Sequence, residues 1–130
     1  MAIEAPHFYP GLQANGDMSS SQYYLVMHTA TAGRVAVCTA ATDKAIGSLY
    51  NLPSAAGDGA DIADLSPGRP FKVVVGSAGV SAGNVGTTAT GLLENKTTDK
   101  DYIIGQVDQA WDSGDFAIVM PNGGGYISSS

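Results

Sequence analysis

Short apolar stretches, rarely longer than six residues and bounded by glycine, proline or polar turns, run the length of the chain. No segment of twelve residues shows a clean 3.6-residue period. The stretches are β-branched or aromatic, which is the pattern of an all-β protein. QYYLVMH (22–28) predicts a strand with Tyr24, Val26 and His28 on one face and Tyr23, Leu25 and Met27 on the other. RVAVCTA (34–40) follows a short ATAG turn and predicts its hairpin partner. Further strands are predicted over 45–51, 60–65, 71–76, 85–93, 102–110 and 115–120, with a polar loop at 95–101. The last two read as a closing pair around WDSG. Tyr126 and Ile127 suggest a short final strand in the tail.

A weak internal repeat lies within this pattern. Ile46-Gly47-Ser48-Leu49 and Ile104-Gly105-Gln106-Val107 each lead to a Gly-Asp turn, Gly57-Asp58 and Gly114-Asp115. Glycine inside a strand marks a bulge or a close backbone approach. Two such points predict two similarly curved strands, as in a small β-barrel or β-sandwich. The expected organisation is an extended N-terminal arm (1–20), one β-domain (21–120) and a C-terminal tail (121–130).

Composition narrows the function. The 130 residues suffice for one domain with a core. Charged residues are 14%, against about 25% in a typical soluble domain. A surface so poor in charge suits a protein held in a larger assembly. The formal net charge is −6 and the six basic residues are scattered, which argues against nucleic-acid binding. The single cysteine, Cys38, excludes an internal disulfide and a multi-cysteine metal site. MAIEAPHFYPGLQ lacks the basic and apolar regions of a secretory signal, and no apolar run nears the ~20 residues of a membrane helix. The chain is therefore expected to be soluble, made in the cytoplasm and free of membrane partners.

Candidate chemistry is sparse. VVVGSAGVSAGNVG (73–86) has the glycines of a phosphate loop but neither a Gly-Lys-Ser/Thr ending nor the Gly-x-Gly-x-x-Gly spacing. Threonines follow where a helix would have to begin, so the segment reads as a strand and a turn. His28 and Cys38, on neighbouring hairpin strands, are the one conceivable nucleophilic pair; the competing reading is an ordinary strand histidine and a small core cysteine. Asp58, Asp61 and Asp64 recur at every third position, which spreads them over both faces of a strand rather than around calcium. Asn95-Lys96-Thr97 fits a glycosylation sequon only by chance, given no secretory signal. Trp111, the only tryptophan, reads as a ligand or interface anchor at a hairpin tip, or as an aromatic cap on the barrel end. No enzyme, cofactor or metal site is expected.

The segments TDKAIGSLYNLPSAAGDGADIA, PFKVVVGSAGVSAGNVGTTATG and YIIGQVDQAWDSGDFAIVM, in that order, resemble the small decoration, or cement, proteins of tailed-phage capsids. The resemblance spans about residues 22–120 and rests on turn and strand patterns. Asn84 stands where that family often carries an acid after glycine. The resemblance implies a non-enzymatic virion protein on the outer capsid surface. It would bind the major capsid protein and itself, as a trimer or alternatively a dimer, and stabilise the lattice. Contacts to the capsid or a neighbouring protomer are then expected from the ends and the hairpin tip: Ile3, Phe8, Tyr9, Leu12, Trp111 and Tyr126. The alternative is a carbohydrate-binding β-module of a phage or bacterial surface, using Trp111 and the tyrosines.

Overall fold

The structure, a computed structural model, describes residues 4–98 and 101–126. In chain order the strands are β1 (Phe8–Tyr9), β2 (Gln13–Ala14), β3 (Leu25–His28), β4 (Arg34–Val37), β5 (Gly47–Leu49), β6 (Ile62–Asp64), β7 (Phe71–Val74), β8 (Gly83–Thr87), β9 (Leu93–Asn95), β10 (Tyr102–Val107) and β11 (Phe116–Tyr126). The described residues contain no helix, so the chain is all-β.

Each half of the chain makes its own sheet. The first runs β1-β6-β5-β3-β4-β2 and the second β7-β11-β10-β8-β9. Both sheets curl until their far ends meet. In the second, Val75, just past β7, bridges Leu93 of β9, and the Gly76 N–H donates to the Leu93 carbonyl at 2.9 Å. In the first, β2 lies parallel to β4 and also reaches the segment entering β6. There Gln13 bridges Gly59, and the Ala60 N–H donates to the Leu12 carbonyl at 3.0 Å. Curling removes most open strand edges, which otherwise invite pairing with other chains.

Strand alternation then divides the interior in two. Leu25, on β3, joins Phe71, Val73, Val85, Ile104 and Val119 in a core between the lobes. Its neighbour Val26 points the other way, into a second core with Leu12, Val35, Leu49 and Ile62. The β3–β4 hairpin forms as the pattern predicts, with Val26 opposite Val37 and His28 opposite Val35. The closing pair also forms, β10 lying antiparallel to β11.

Three expectations are corrected. The predicted strand 85–93 is two strands and a turn. Thr88 Oγ1 accepts from the N–H groups of Thr90 and Leu92, an alternative to ladder bonds that threonine hydroxyls readily offer. Gly91 takes φ +80° and is buried, its carbonyl accepting from the Leu25 N–H of the other sheet at 2.7 Å. The polar loop at 95–101 begins with strand residue Asn95 and buries Lys96. The tail expected from 121 is strand as far as Tyr126: β11 continues against β10, and Gly123 and Gly124, at φ +87° and +82°, lie where the register slips between Ile103 and Gly105.

Lys96 is 4% exposed, and its stem lies across Gly86 of β8. Its ammonium donates to Glu94 at 2.8 Å and to the carbonyl of Ala41 at 3.0 Å, which ties the β8–β9 hairpin to the first lobe. Lys96→Met keeps the stem but loses both bonds. The expected loss is about 2 kcal/mol, since hydrogen bonds to charged groups contribute about 1.5–3; a urea denaturation midpoint checks it.

Four acids serve turns rather than partners. Asp43, Asp58, Asp101 and Asp115 each donate their own N–H to the carbonyl three residues back, and each accepts that residue's N–H on the carboxylate. Two of these turns belong to the Gly-Asp repeat, with Gly57 at φ +91° and Gly114 at φ +84°.

Candidate functional site

Four aromatic rings from distant parts of the chain line up edge to face across both lobes. Phe8, on β1, meets Tyr50 at 5.4 Å between centroids, Tyr50 meets Tyr23 at 5.0 Å, and Tyr23 meets Phe116, on β11, at 5.3 Å. The outer ends are the most open, Phe8 at 46% and Phe116 at 51% exposed. Alternation along β11 places Ile118 and the exposed Met120 on the same outward face as Phe116, and β7 sets Val74 opposite Phe116. The result is an apolar strip crossing the seam of the molecule. Contiguous exposed apolar surface is a feature of interaction sites, which makes this strip the candidate.

The strip is built rigidly. Tyr23 is the one non-glycine residue with positive φ among those described, at +67°. Its N–H donates to Leu49 of the first sheet and its carbonyl accepts from Val74 of the second at 3.0 Å. Backbone strain held by contacts on both sides is a recurrent feature of functional surfaces. The Tyr50 hydroxyl donates to Glu4 at 2.5 Å and accepts the Lys72 N–H at 2.7 Å. Burial first, and then the Glu4 carboxylate, hold its phenol well above the ordinary tyrosine range. Glu4 also pairs with the Lys72 ammonium at 3.4 Å, and that ammonium sits 5.5 Å from the centre of the Tyr23 ring. The charges beside the strip thus pair with each other.

The residues expected to make contacts are scattered by this geometry. Phe8 joins the row. Tyr9 turns to the opposite side of β1 and meets the His28 ring at 6.5 Å. Leu12 is 7% exposed and belongs to the first lobe's core, so it is not offered to a partner. Residues 4–18 lie on their own domain, with a turn at Pro10-Gly11 between β1 and β2. β1 and β2 are strands of the first sheet, the Ala5 N–H bonds the Pro70 carbonyl at 2.9 Å, and Met18 is buried. Removing residues 2–12 is therefore expected to destabilise the domain, not leave it intact as a free arm would. Trp111 pairs its backbone with Val80 and packs its ring against the inter-lobe core, its indole N–H buried without a partner. Ile3 and the side chain of Tyr126 lie outside the described residues.

Tyr23, Tyr50 and Phe116 are not among the capsid or protomer contacts that the sequence predicts. Each stands beside a strand end and carries no motif. Only the register that brings them together reveals the row. The remaining chemical candidates separate. Cys38 is buried in the inter-lobe core, where burial pushes its thiol up to about 11, while His28 is exposed. Asp58 holds its own turn, Asp61 is exposed, and Asp64 bonds His7 at 2.7 Å and the Ser66 hydroxyl at 2.6 Å. Gly76 and Gly79 lie in the connection from β7 to β8, which begins with a turn in which the Gly79 N–H donates to the Gly76 carbonyl.

Asp64 gives a pH dependence. Burial raises its pKa, but the hydrogen bonds from Ser66 and His7 outweigh burial and hold it below its ordinary 3.8. A depressed folded pKa contributes stability that is complete above the unfolded value and lost as pH falls through the folded one. Stability should therefore drop below about pH 4, and Asp64→Asn should flatten that part of the profile. Unfolding midpoints measured from pH 2 to 6 check this.

Comparison with family models and with curated proteins finds no match. Among solved structures, the chain is similar to the N base of head fiber gp8.5 of bacteriophage phi29, with a TM-score of 0.57. The identity is 15%, and the alignment covers 85% of this chain and 90% of that one. The likeness is one of fold, and it takes in both lobes.

Proposed function

We propose that this chain is a non-enzymatic structural protein of a phage head, bound to the outer surface of the capsid, where it stabilises the major capsid protein lattice as a decoration protein. The observation that carries the reading is the fold-wide likeness to the base of a phage head fiber. The turn and strand motifs of the sequence point the same way independently. The strip from Phe8 to Phe116 is the surface we assign to the capsid, since edge-to-face aromatics on a rigid frame anchor interfaces at little entropic cost. Trimers, as in the resembled decoration proteins, would present three such strips to the lattice and gain from multivalency.

Purified protein mixed with empty heads that lack an outer protein should co-sediment to a saturating stoichiometry and raise the temperature at which the heads disrupt. Failure to co-sediment at micromolar concentration overturns the reading.

A further inference from the structure

On the other side of β1 from the aromatic strip, a cleft of about 330 Å³ opens at the seam between the lobes. Tyr9, His28 and Asp64 line it from the first lobe and Tyr102 from the second, with Ile46 and Leu65 as apolar lining. An adjoining hollow shares His28, Ile46 and Tyr102 with it and is lined as well by the oppositely charged Asp43 and Lys44. Ligand pockets favour such junctions, and about 300 Å³ is the lower end of their size range.

The lining selects a chemistry. Asp64 is fixed by His7 on one carboxylate oxygen and by Ser66 on the other, and those hydrogen bonds favour its charged form. It is therefore a preorganised acceptor, and it repels phosphate and other anions. The Tyr9 ring is 47% exposed and stands at 76° to the His28 ring, forming an aromatic corner. Tyrosine supplies broad, stiff contact area with a polar tip. A partner that satisfies an aromatic corner, an apolar lining and a hydroxyl-accepting carboxylate has one apolar face and a rim of hydroxyl donors. A pyranose ring has that shape. The volume suits one sugar unit, and the adjoining hollow can take the next.

We infer that this groove is a binding site for a neutral glycan, with Tyr9 and His28 packing against the sugar face and Asp64 accepting from its hydroxyls. The inference goes beyond the capsid role and does not rest on it, because the groove and the aromatic strip are different surfaces.

The test is an amide-correlation NMR titration of the full chain with glucose, galactose, mannose and N-acetylglucosamine, each to about 50 mM, enough to saturate a Kd of a few mM. Choline and inorganic phosphate are run beside them. At least one sugar should shift resonances at Tyr9, His28, Ile46, Asp64, Ser66 and Tyr102. Tyr9→Ala and His28→Ala, both at exposed positions, should each weaken that sugar about tenfold or more while leaving the other resonances and head binding unchanged. The proposal is overturned if no sugar shifts these residues, if the shifts lie elsewhere, if choline or phosphate alone binds, or if both variants bind as the parent does.

Discussion

Replacing either Gly47 or Gly105 by alanine is expected to remove a large part, and at the low end of domain stability all, of what holds the protein folded. The two glycines stand second in the repeated Ile-Gly-x-aliphatic motif, and the structure gives both the same constraint. A Cβ on Gly47 would stand inside the van der Waals shell of the Ala63 carbonyl oxygen, with the Ala63 carbonyl carbon and Ile62 Cγ2 at 2.9 Å. On Gly105 it would meet the Met120 carbonyl oxygen in the same way, with the Met120 carbonyl carbon and Pro121 Cα at 2.8 Å. These neighbours are mostly backbone of the paired strand, which no rotamer change can move. Relief requires separating β5 from β6, where Gly47 opposes Asp64, or β10 from β11, where Gly105 opposes Pro121. Each separation opens a lobe whose sheet closes on itself, so the loss should exceed the ~4–5 kcal/mol that marks exceptional substitutions. Total stability in domains is about 5–15 kcal/mol. Gly16 and Gly59 have open space at the Cβ position and no positive φ. Alanine there should change stability by less than about 1 kcal/mol. Circular dichroism melts and amide dispersion distinguish the cases; a Gly47→Ala protein melting within a few degrees of the parent overturns the argument.

This constraint was legible in the sequence because a glycine in a β-branched run has few reasons to be there other than close approach. The β3–β4 hairpin was legible for a similar reason, alternation being a local property. Closure of the two sheets was not. It depends on single-residue bridges, Val75 to Leu93 and Gln13 to Gly59, which leave no periodic trace. Local propensity also misled in both directions. Thr88 and Thr90 favour strands, yet the Thr88 hydroxyl makes a turn that seats Gly91 against the other lobe. Pro121 to Gly125 reads as tail, yet partner β10 holds it as strand. Of the aromatic strip only Phe8 is among the contacts that the sequence predicts. Its four members are separated by up to 108 positions along the chain, from Phe8 to Phe116, and become neighbours only through the contact of β1, β5, β3 and β11 ends.

The strip carries the second large effect. A chain with Phe8→Asp and Phe116→Asp together should lose binding to phage heads while remaining folded. Both rings are about half exposed, and neither belongs to a buried core, so the folded state loses little. Tyr23 and Tyr50 are poor probes by comparison. The Tyr23 backbone joins the two sheets, and the Tyr50 hydroxyl holds the Lys72 N–H, so changing either perturbs the frame. At an interface, truncating an aromatic anchor commonly costs about 2 kcal/mol or more, roughly thirtyfold in affinity. A buried aspartate adds the penalty of an unpaired charge. In an oligomer on a regular lattice each protomer suffers the same loss, and the lost avidity multiplies it. Leu52 is as exposed as Phe116 but lies outside the row, so Leu52→Asp should bind as the parent does. Co-sedimentation with heads across a concentration series reads all three proteins. If the double variant saturates at the parental concentration, the aromatic strip does not face the capsid. If Leu52→Asp fails as badly as the double variant, the contact is not confined to the strip.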